Sequence, residues 1–503
     1  MNPSDTRSDA GATTATISDP RAALEVQRAA FFRDGPPSVR VRRERIDRLM
    51  AMVLDNVDAY VDALVADYGT RSPTGIRFAE IMGMLSVLEH TRSHVRAWMR
   101  PRHPSPAARL IGVRAEVRPT PLGVVGIVGP WNFPLNLVVL PAAAAFAAGN
   151  RVMIKMSEIT AHTAELTARL AAAYFDPAEL TVVIGGPEVG AAFTELPFDH
   201  LFFTGSPRVG QLVQRAAARN LVPVTLELGG KNPVVVARDA DIGRAAQRIA
   251  RARMVNGGQV CVCPDYVFVP EDRLAEFADG LRDALRALYP HIIDNEDYTA
   301  CVDRANYERV LGLVEDARER GAEVDALAPP GEALPDPATR KIAPTLVTGV
   351  TDDMRIADEE VFGPVLALRP YRAVDEVIAH LNARPSPLVA YWFGPDGAGF
   401  RTFVARTRSG AVSRNDFAMQ MFASDAPFGG VGRSGMGAYH GRAGFDAFSH
   451  HRTVAGSSLP FPITSLAAPP FAPATRRVVD LALRSATRRT RRRLGRWRPA
   501  GTS

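Results

Sequence analysis

Three short segments carry residue types that could do chemistry together. Cys261 lies in Asn-Gly-Gly-Gln-Val-Cys-Val-Cys-Pro (256–264), where a thiol follows an expected helix end in a glycine-rich turn. A lone cysteine is more often a buried packing residue, but a thiol presented by a flexible loop suits a nucleophile that must meet its substrate. Glu227 lies in Leu-Glu-Leu-Gly-Gly-Lys-Asn-Pro (226–233), at the end of an apolar run and just before two glycines. A carboxylate there could cap a turn or pair with Lys231. At the carboxyl end of a buried strand it also sits where open α/β sheets bind ligands, and burial would raise its pKa toward that of a general base. Asn132 lies in Gly-Pro-Trp-Asn-Phe-Pro (129–134), where two prolines fix the backbone and could aim its amide as an oxyanion donor.

The elements that must position these groups read as α/β. From Pro121 to Arg238, short β-branched runs alternate with helix-like stretches, the pattern of a parallel sheet with crossover helices. Strands are expected at Gly123–Val128, Arg151–Lys155, Thr181–Ile184, His200–Phe203, Pro223–Leu228 and Pro233–Val236. Their near-continuous apolar character predicts cover on both faces. Ser157–Phe175, with Ile159, Leu166, Leu170 and Tyr174 near the helical period, is the expected crossover helix. Arg43–Met99 reads as two or three long helices. A second α/β run extends from Tyr266 to about Gly410, with strands near Val267–Val269 and Val365–Leu368, helices at Leu274–Tyr289 and Ala305–Arg320, and a surface loop over Leu327–Pro337.

Composition sets the class. The chain has 503 residues, 46% of them hydrophobic and 23% charged, enough for two or three domains with a large core. No run approaches the ~20 apolar residues of a membrane span, and Met1–Pro20 lacks the pattern of a secretory signal, so a soluble, cytoplasmic protein with a flexible leader is expected. Three cysteines imply no disulfide framework. The net charge of +6 is local, because Arg476–Arg498 holds ten arginines against Asp480 alone and the rest of the chain is slightly acidic. Five prolines between Pro460 and Pro473 should detach this tail, read as a disordered, solvated segment in preference to a basic helix lying on anionic lipid.

Taken together, the motifs resemble the aldehyde dehydrogenase family over roughly residues 25–455. Six blocks occur in the family's order and spacing: Pro-Trp-Asn-Phe-Pro (130–134), Phe-Thr-Gly-Ser (203–206), Glu-Leu-Gly-Gly-Lys (227–231), Gly-Gln-Val-Cys (258–261), Glu-Val-Phe-Gly-Pro (360–364) and Pro-Phe-Gly-Gly-Val-Gly (427–432). The resemblance implies the family's fold: a Rossmann-like NAD-binding domain (21–102 and 122–229), an α/β catalytic domain (230–430) and a small β oligomerisation arm (103–121 and 431–458). A leader (1–20) and a Pro-rich, then Arg-rich tail (459–503) flank these. It implies Cys261 as nucleophile, Asn132 with the Cys261 backbone N–H as oxyanion donors, and Glu227 as the base that hydrolyses a thioester to a free acid. Family members that acylate coenzyme A generally lack that carboxylate.

For the cofactor, Gly205-Ser-Pro-Arg-Val-Gly210 closes a strand and opens a helix whose amides can face a pyrophosphate, although the spacing departs from the common dinucleotide fingerprint. The resemblance implies Gly205, Ser206 and Gly210 at the pyrophosphate, Lys155 and Glu158 at the adenosine ribose, and Glu360 with Phe362 at the nicotinamide ribose. Trp131, Leu228 and Gly229 complete the cofactor set. Glu158 would repel a 2′-phosphate, which favours NAD, with NADP as the alternative. Two departures stand out: Met156 replaces the family's usual proline and should loosen the turn holding Lys155 and Glu158, and Cys263 follows the nucleophile at two residues, where a packing or redox-sensitive role is assigned. Cys301 is read as packing.

Gly435-Met-Gly-Ala-Tyr-His-Gly441 and Gly444-Phe-Asp-Ala-Phe-Ser-His450 resemble the branch acting on fatty and aromatic aldehydes, most closely bacterial coniferyl aldehyde dehydrogenases. Phe417, Met419 and Met421 are either core or the wall of an apolar substrate site. No metal is expected, since the histidines show no zinc-type spacing. The arm implies a homodimer or tetramer; nucleic acid is not an expected partner, and membrane contact would come only through the basic tail. The competing reading is a membrane- or nucleic-acid-associating protein on an inactivated dehydrogenase scaffold.

Overall fold

The computed structural model describes residues 19–104, 109, 112–460, 462 and 468–495. The leader expected at 1–20 lies almost wholly outside them, as do parts of the arm segment expected at 103–121 and of the tail expected at 459–503. Among the described residues the strands are β1 Val113–Pro121, β2 Val124–Val128, β3 Arg151–Lys155, β4 Leu180–Val183, β5 His200–Gly205, β6 Val224–Leu228, β7 Pro233–Val236, β8 Tyr266–Pro270, β9 Glu323–Ala326, β10 Thr345–Thr348, β11 Val365–Tyr371, β12 Val389–Phe393, β13 Ala411–Arg414, β14 Gly435–Met436 and β15 Ser449–Ser457.

The first compact unit, residues 19–100 and 119–450, contains two sheets. One has the order β14-β6-β5-β2-β3-β4 and is parallel except for β14, which pairs antiparallel to β6. The other has the order β13-β12-β7-β8-β11-β10-β9 and is parallel except at β9. Pro233–Val236, expected within the first run, therefore opens the second sheet: four residues after β6, the Gly229-Gly230 turn carries the chain across.

Layers form because strands apolar on both faces need cover on both. Over one face of the first sheet lies helix Asn136–Ala148, almost wholly buried, itself covered by helices Val39–Leu54, Gly83–Trp98 and Gly441–Ala447. The opposite face packs Ala23 and Leu24 of helix Pro20–Asp34, Phe193 and Val213 into a second core. In the second sheet, helices Ile242–Met254 and Leu274–Leu288 pack on one another against Val234, Val236, Val267 and Val269, while Phe403, Val377 and Ile378 join Tyr266, Phe268 and Trp392 beyond the other face. The crossover helix spans Ala161–Tyr174; Leu166 is buried and Leu170 and Tyr174 are partly buried.

The second unit comprises residues 101–118 and the described chain from 451 onward. β1 and β15 form a two-stranded sheet, and Ser458 N–H donates to the Gly112 carbonyl at 2.8 Å. The arm expected from 431 takes this form only from Ser449, because Gly435–Met436 extends the first sheet and Gly441–Ala447 is helical. The expectation of a disordered tail is corrected: Pro473–Leu494 is one exposed helix, with Pro473 in its first turn and Gly495 at its C-cap.

Candidate active site

The loop bearing Cys261 starts where helix Ile242–Met254 cannot continue. Asn256, Gly257 and Gly258 take φ of 49°, 62° and 78°, the left-handed region that glycine enters without penalty. Glycine is also required by space, since a Cβ on Gly258 would collide with the Gly363 carbonyl and one on Gly257 would crowd that of Thr299.

Side chains from surrounding elements then grip the loop backbone. Asn232 Nδ2 donates to the carbonyls of Cys261 (2.7 Å) and Cys263 (3.0 Å), while its Oδ1 accepts from Val389 N–H. Gln259 Nε2 donates to Ala300 O and its Oε1 accepts from Val302 N–H. Tyr391 donates to Val262 O, and buried Arg253 donates to the carbonyls of Pro264 and Gly363. A loop held at this many points is preorganised, so the thiol is presented at a fixed place.

Of the three thiols, only Cys261 is partly exposed. Burial raises its pKa, and the charges of Glu360 and Glu227 add to the effect. Cys263 is a packing residue here: it is buried, donates to Ala252 O at 3.3 Å, and burial pushes its thiol up to about 12. Cys301 is likewise buried within a core cluster.

Glu227 is the penultimate residue of β6, level with Thr204 on β5 and Gly435 on β14. It is 4% exposed, and neither carboxylate oxygen has a hydrogen-bond partner. An unpaired buried carboxylate disfavours its ionised form, and burial raises the Glu227 pKa well above the usual carboxylate range. Tyr439 is buried beside the same groups; burial raises the phenol pKa, and the charges of Glu227 and Cys261 add to it. The adjacent His440 has φ 71° and both ring nitrogens unpartnered, and burial lowers its pKa to about 4.

Asn132 is 3% exposed and donates one amide hydrogen to Gln259 O at 3.2 Å, which leaves its second for another acceptor. Its own carbonyl accepts from Asn256 Nδ2 at 3.3 Å and from Tyr68 Oη at 3.4 Å. The next turn is fixed by Glu80, whose Oε1 accepts from Leu135 and Asn136 N–H at 2.7 and 3.1 Å. Buried Arg71 stands 3.8 Å from Glu80 Oε2 and covers the rings of Tyr68 and Phe133.

The cofactor candidates cluster at the carboxyl ends of β2, β3, β5 and β6. Lys155 Nζ is buried, donates to Met156 O at 2.6 Å and lies 3.9 Å from Glu158 Oε2. Burial lowers its pKa, opposed by Glu158 and Glu188. Met156 does not loosen this turn: its side chain is buried and its N–H donates to Val183 O at 3.2 Å. Ser206 caps helix Pro207–Ala218 by accepting from Val209 N–H. Gly210 lets that helix close onto Leu228, whose side chain is buried there, so a direct role for Leu228 would fall to its backbone.

Gly205 and Gly229 sit where a Cβ would collide with the Phe203 ring and with the Glu360 carboxylate respectively. Burial and the Asp265 charge raise the Glu360 pKa to about 8. Phe362, at φ 49°, stands edge-on to Trp131 with ring centroids 5.3 Å apart. The hydrogens left over on Lys155 Nζ and the Ser206 hydroxyl at a helix N-terminus fit the hydroxyl and phosphate groups of a dinucleotide.

Of the near-site aromatics and methionines, Phe417 packs partly buried against the core, whereas Met419 and Met421 are exposed. Among the described residues no group of three or more His, Cys, Asp or Glu could hold a metal ion. Asn232 and Gln259 lie inside motifs quoted above; an amide just after the glycine pair at 257–258, or two residues after the pair at 229–230, is the only signal the sequence offers for them. Arg71, Glu80 and Tyr68 lie far from the motifs in sequence and gave none.

The family model described as "Aldehyde dehydrogenase family" matches residues 1–454. A coniferyl aldehyde dehydrogenase of Pseudomonas sp. (strain HR199) is 46% identical over 432 residues, covering 86% of this chain and 89% of its own. The substrate-bound state of Staphylococcus aureus AldH superposes with a TM-score of 0.85 at 32% identity, covering 92% of this chain and all of the other. A Mycobacterium tuberculosis aldehyde dehydrogenase complexed with NAD+ gives a TM-score of 0.77 at 29% identity over 89% of this chain and 92% of its own. With the family model spanning both sheets and the thiol, carboxylate and amide arranged as described, this chain belongs to the aldehyde dehydrogenase family.

Proposed function

We propose that this enzyme oxidises a hydrophobic or aromatic aldehyde of the coniferyl aldehyde type to the free carboxylic acid with NAD, through a thioester on Cys261. The observation that carries the mechanism is the pairing of one accessible thiol with a buried, unpartnered carboxylate whose charge reaches it. The substrate class rests on the coniferyl aldehyde dehydrogenase of Pseudomonas, and NAD on the Mycobacterium tuberculosis complex.

Cys261 adds as thiolate to the aldehyde carbon, forming a thiohemiacetal whose oxyanion is held by the free Asn132 amide hydrogen and the Cys261 N–H. NAD, when bound by Lys155, Glu158, Gly205, Ser206, Gly229, Glu360 and Phe362, supplies the hydride acceptor. Loss of hydride from the former aldehyde carbon leaves a thioester. Glu227 then takes a proton from water, which attacks that carbonyl, and the acid departs as the thiol is regained. Both Glu227 oxygens are enclosed and unpartnered, so no internal hydrogen bond has to break when the carboxylate meets water. The charges of Glu360 and Glu227 oppose ionisation of Cys261, so the thiol gives up its proton to solvent before attack and Glu227 serves only the hydrolytic step.

An NADH absorbance assay over aliphatic, benzylic and cinnamyl aldehydes tests the reading; a higher kcat/KM on short aliphatic aldehydes than on cinnamyl ones would refute the substrate class. Asn132→Ala should lower kcat by about 10² to 10³, the usual cost of one oxyanion donor, while far-ultraviolet circular dichroism stays unchanged. Glu158→Gln should narrow the preference for NAD over NADP by removing the repulsion of a 2′-phosphate. An unchanged ratio of the two kcat/KM values would refute that role. Assembly as a homodimer or tetramer through the arm is checked by size exclusion with light scattering, where a monomer refutes it.

A further inference from the structure

The C-terminal helix lies outside the region matched by the family model, which stops at residue 454, so catalysis common to the family does not account for it. It runs for 22 residues from Pro473 to Leu494 without one buried side chain. Val478, Val479, Leu481 and Leu483 are 67%, 49%, 70% and 61% exposed. Exposed aliphatic side chains in such number mark a surface that meets something apolar.

At the helical repeat, Val478, Val479, Ala482, Leu483 and Ala486 share one side, which Arg489 and Arg493 interrupt only toward the C-terminal end, and Arg477, Arg484, Arg488 and Arg491 share the other, where Leu481 also falls. Eight arginines and one acid, Asp480, lie on the helix, and Arg491, Arg492 and Arg493 make its last turn basic all round. Among the described residues no helix is long and apolar enough to cross a membrane.

We propose that this helix docks the enzyme on the surface of an anionic lipid bilayer, lying in the interface with its aliphatic side toward the acyl chains and its arginines among the lipid phosphates. Two features select this occupant. A bilayer interface offers apolar and anionic surfaces side by side, matching the two sides of the helix. Nucleic acid would use the arginines but leave the aliphatic side in water. Arginine suits the arrangement because its alkyl stem can lie along apolar surface while the guanidinium reaches phosphate.

The test is co-sedimentation of the full chain with vesicles of phosphatidylcholine alone and of phosphatidylcholine mixed with phosphatidylglycerol. Binding should be strong on the mixed vesicles and weak on the neutral ones, and should fall as salt rises. Replacing Arg488, Arg489, Arg491, Arg492 and Arg493 with Gln should reduce partitioning by on the order of a thousandfold, since each basic residue near such a surface contributes roughly fivefold. Val479→Asp with Leu483→Asp should release the protein even with every arginine present. Aldehyde oxidation in solution should be unchanged in both variants, confirming that the body is folded. Equal binding to both vesicle types would overturn the proposal. So would duplex DNA binding that the Asp pair does not disturb, which assigns the helix to nucleic acid, or loss of an oligomer in the Asp pair, which assigns it to a second copy.

Discussion

Cys261→Ala is expected to abolish aldehyde oxidation, with a fall of at least about 10⁴-fold, because loss of a nucleophile leaves only binding and oxyanion stabilisation. NAD binding, followed by fluorescence titration, should stay nearly intact. The loop is held through main-chain carbonyls, with Asn232 donating to the carbonyl of residue 261 itself, and removing the sulfur breaks none of those bonds. The pyrophosphate candidates Gly205 and Ser206 lie at the end of another strand. Retained turnover would move the nucleophile to Cys263, which would first have to leave its bond to Ala252 O and the packing that pushes its thiol up to about 12. Cys263→Ala in the same assay should therefore keep most of the activity.

How much of this was legible in the sequence follows from how local each signal is. β3 and β7 fall on the expected residues because each is a short apolar run closed by a charged or irregular segment. β9 was missed because Glu323-Val-Asp-Ala is a polar edge strand paired on one side only, held by β10 rather than by its own pattern. β14 is two residues long and exists only because Gly435 fits against Leu226 where a Cβ would strike its carbonyl. Glu227 was legible from its place at a strand end. That neither of its oxygens finds a partner was not, because emptiness around a side chain is set by the surrounding tertiary structure. The same holds for Asn132: its prolines predicted a fixed backbone, but the acceptor of one amide hydrogen, Gln259 O, comes from 127 residues away. The charge of the Arg-rich tail points to a disordered segment, whereas its alanines, leucines and arginines are good helix formers once Pro473 starts the first turn.

Glu227→Gln separates the two half-reactions. Attack by Cys261 and departure of hydride require no base acting on water, so the variant should give a burst of NADH of about one equivalent per active site, as expected when acylation outruns deacylation. Slow turnover should follow, lower by about 10² to 10⁴, the usual contribution of a general base. Mass spectrometry after the burst should find the acyl group on a peptide containing Cys261. The pH profile adds a second signature. Burial raises the Glu227 pKa well above the ordinary carboxylate range, so the base form accumulates only as pH rises through that shifted value. Steady-state kcat of the unaltered enzyme should climb over that interval, and the Gln variant should lack the climb while keeping its burst. A variant with neither burst nor adduct would place Glu227 earlier, as acceptor of the thiol proton. The structure makes that outcome meaningful, since burial and the charges of Glu360 and Glu227 all hold the resting Cys261 in its protonated form. Normal turnover would instead make Glu227 a structural acid, and water would need another base; Glu360, whose pKa lies at about 8 and whose charge also reaches the sulfur, would be the group to substitute next.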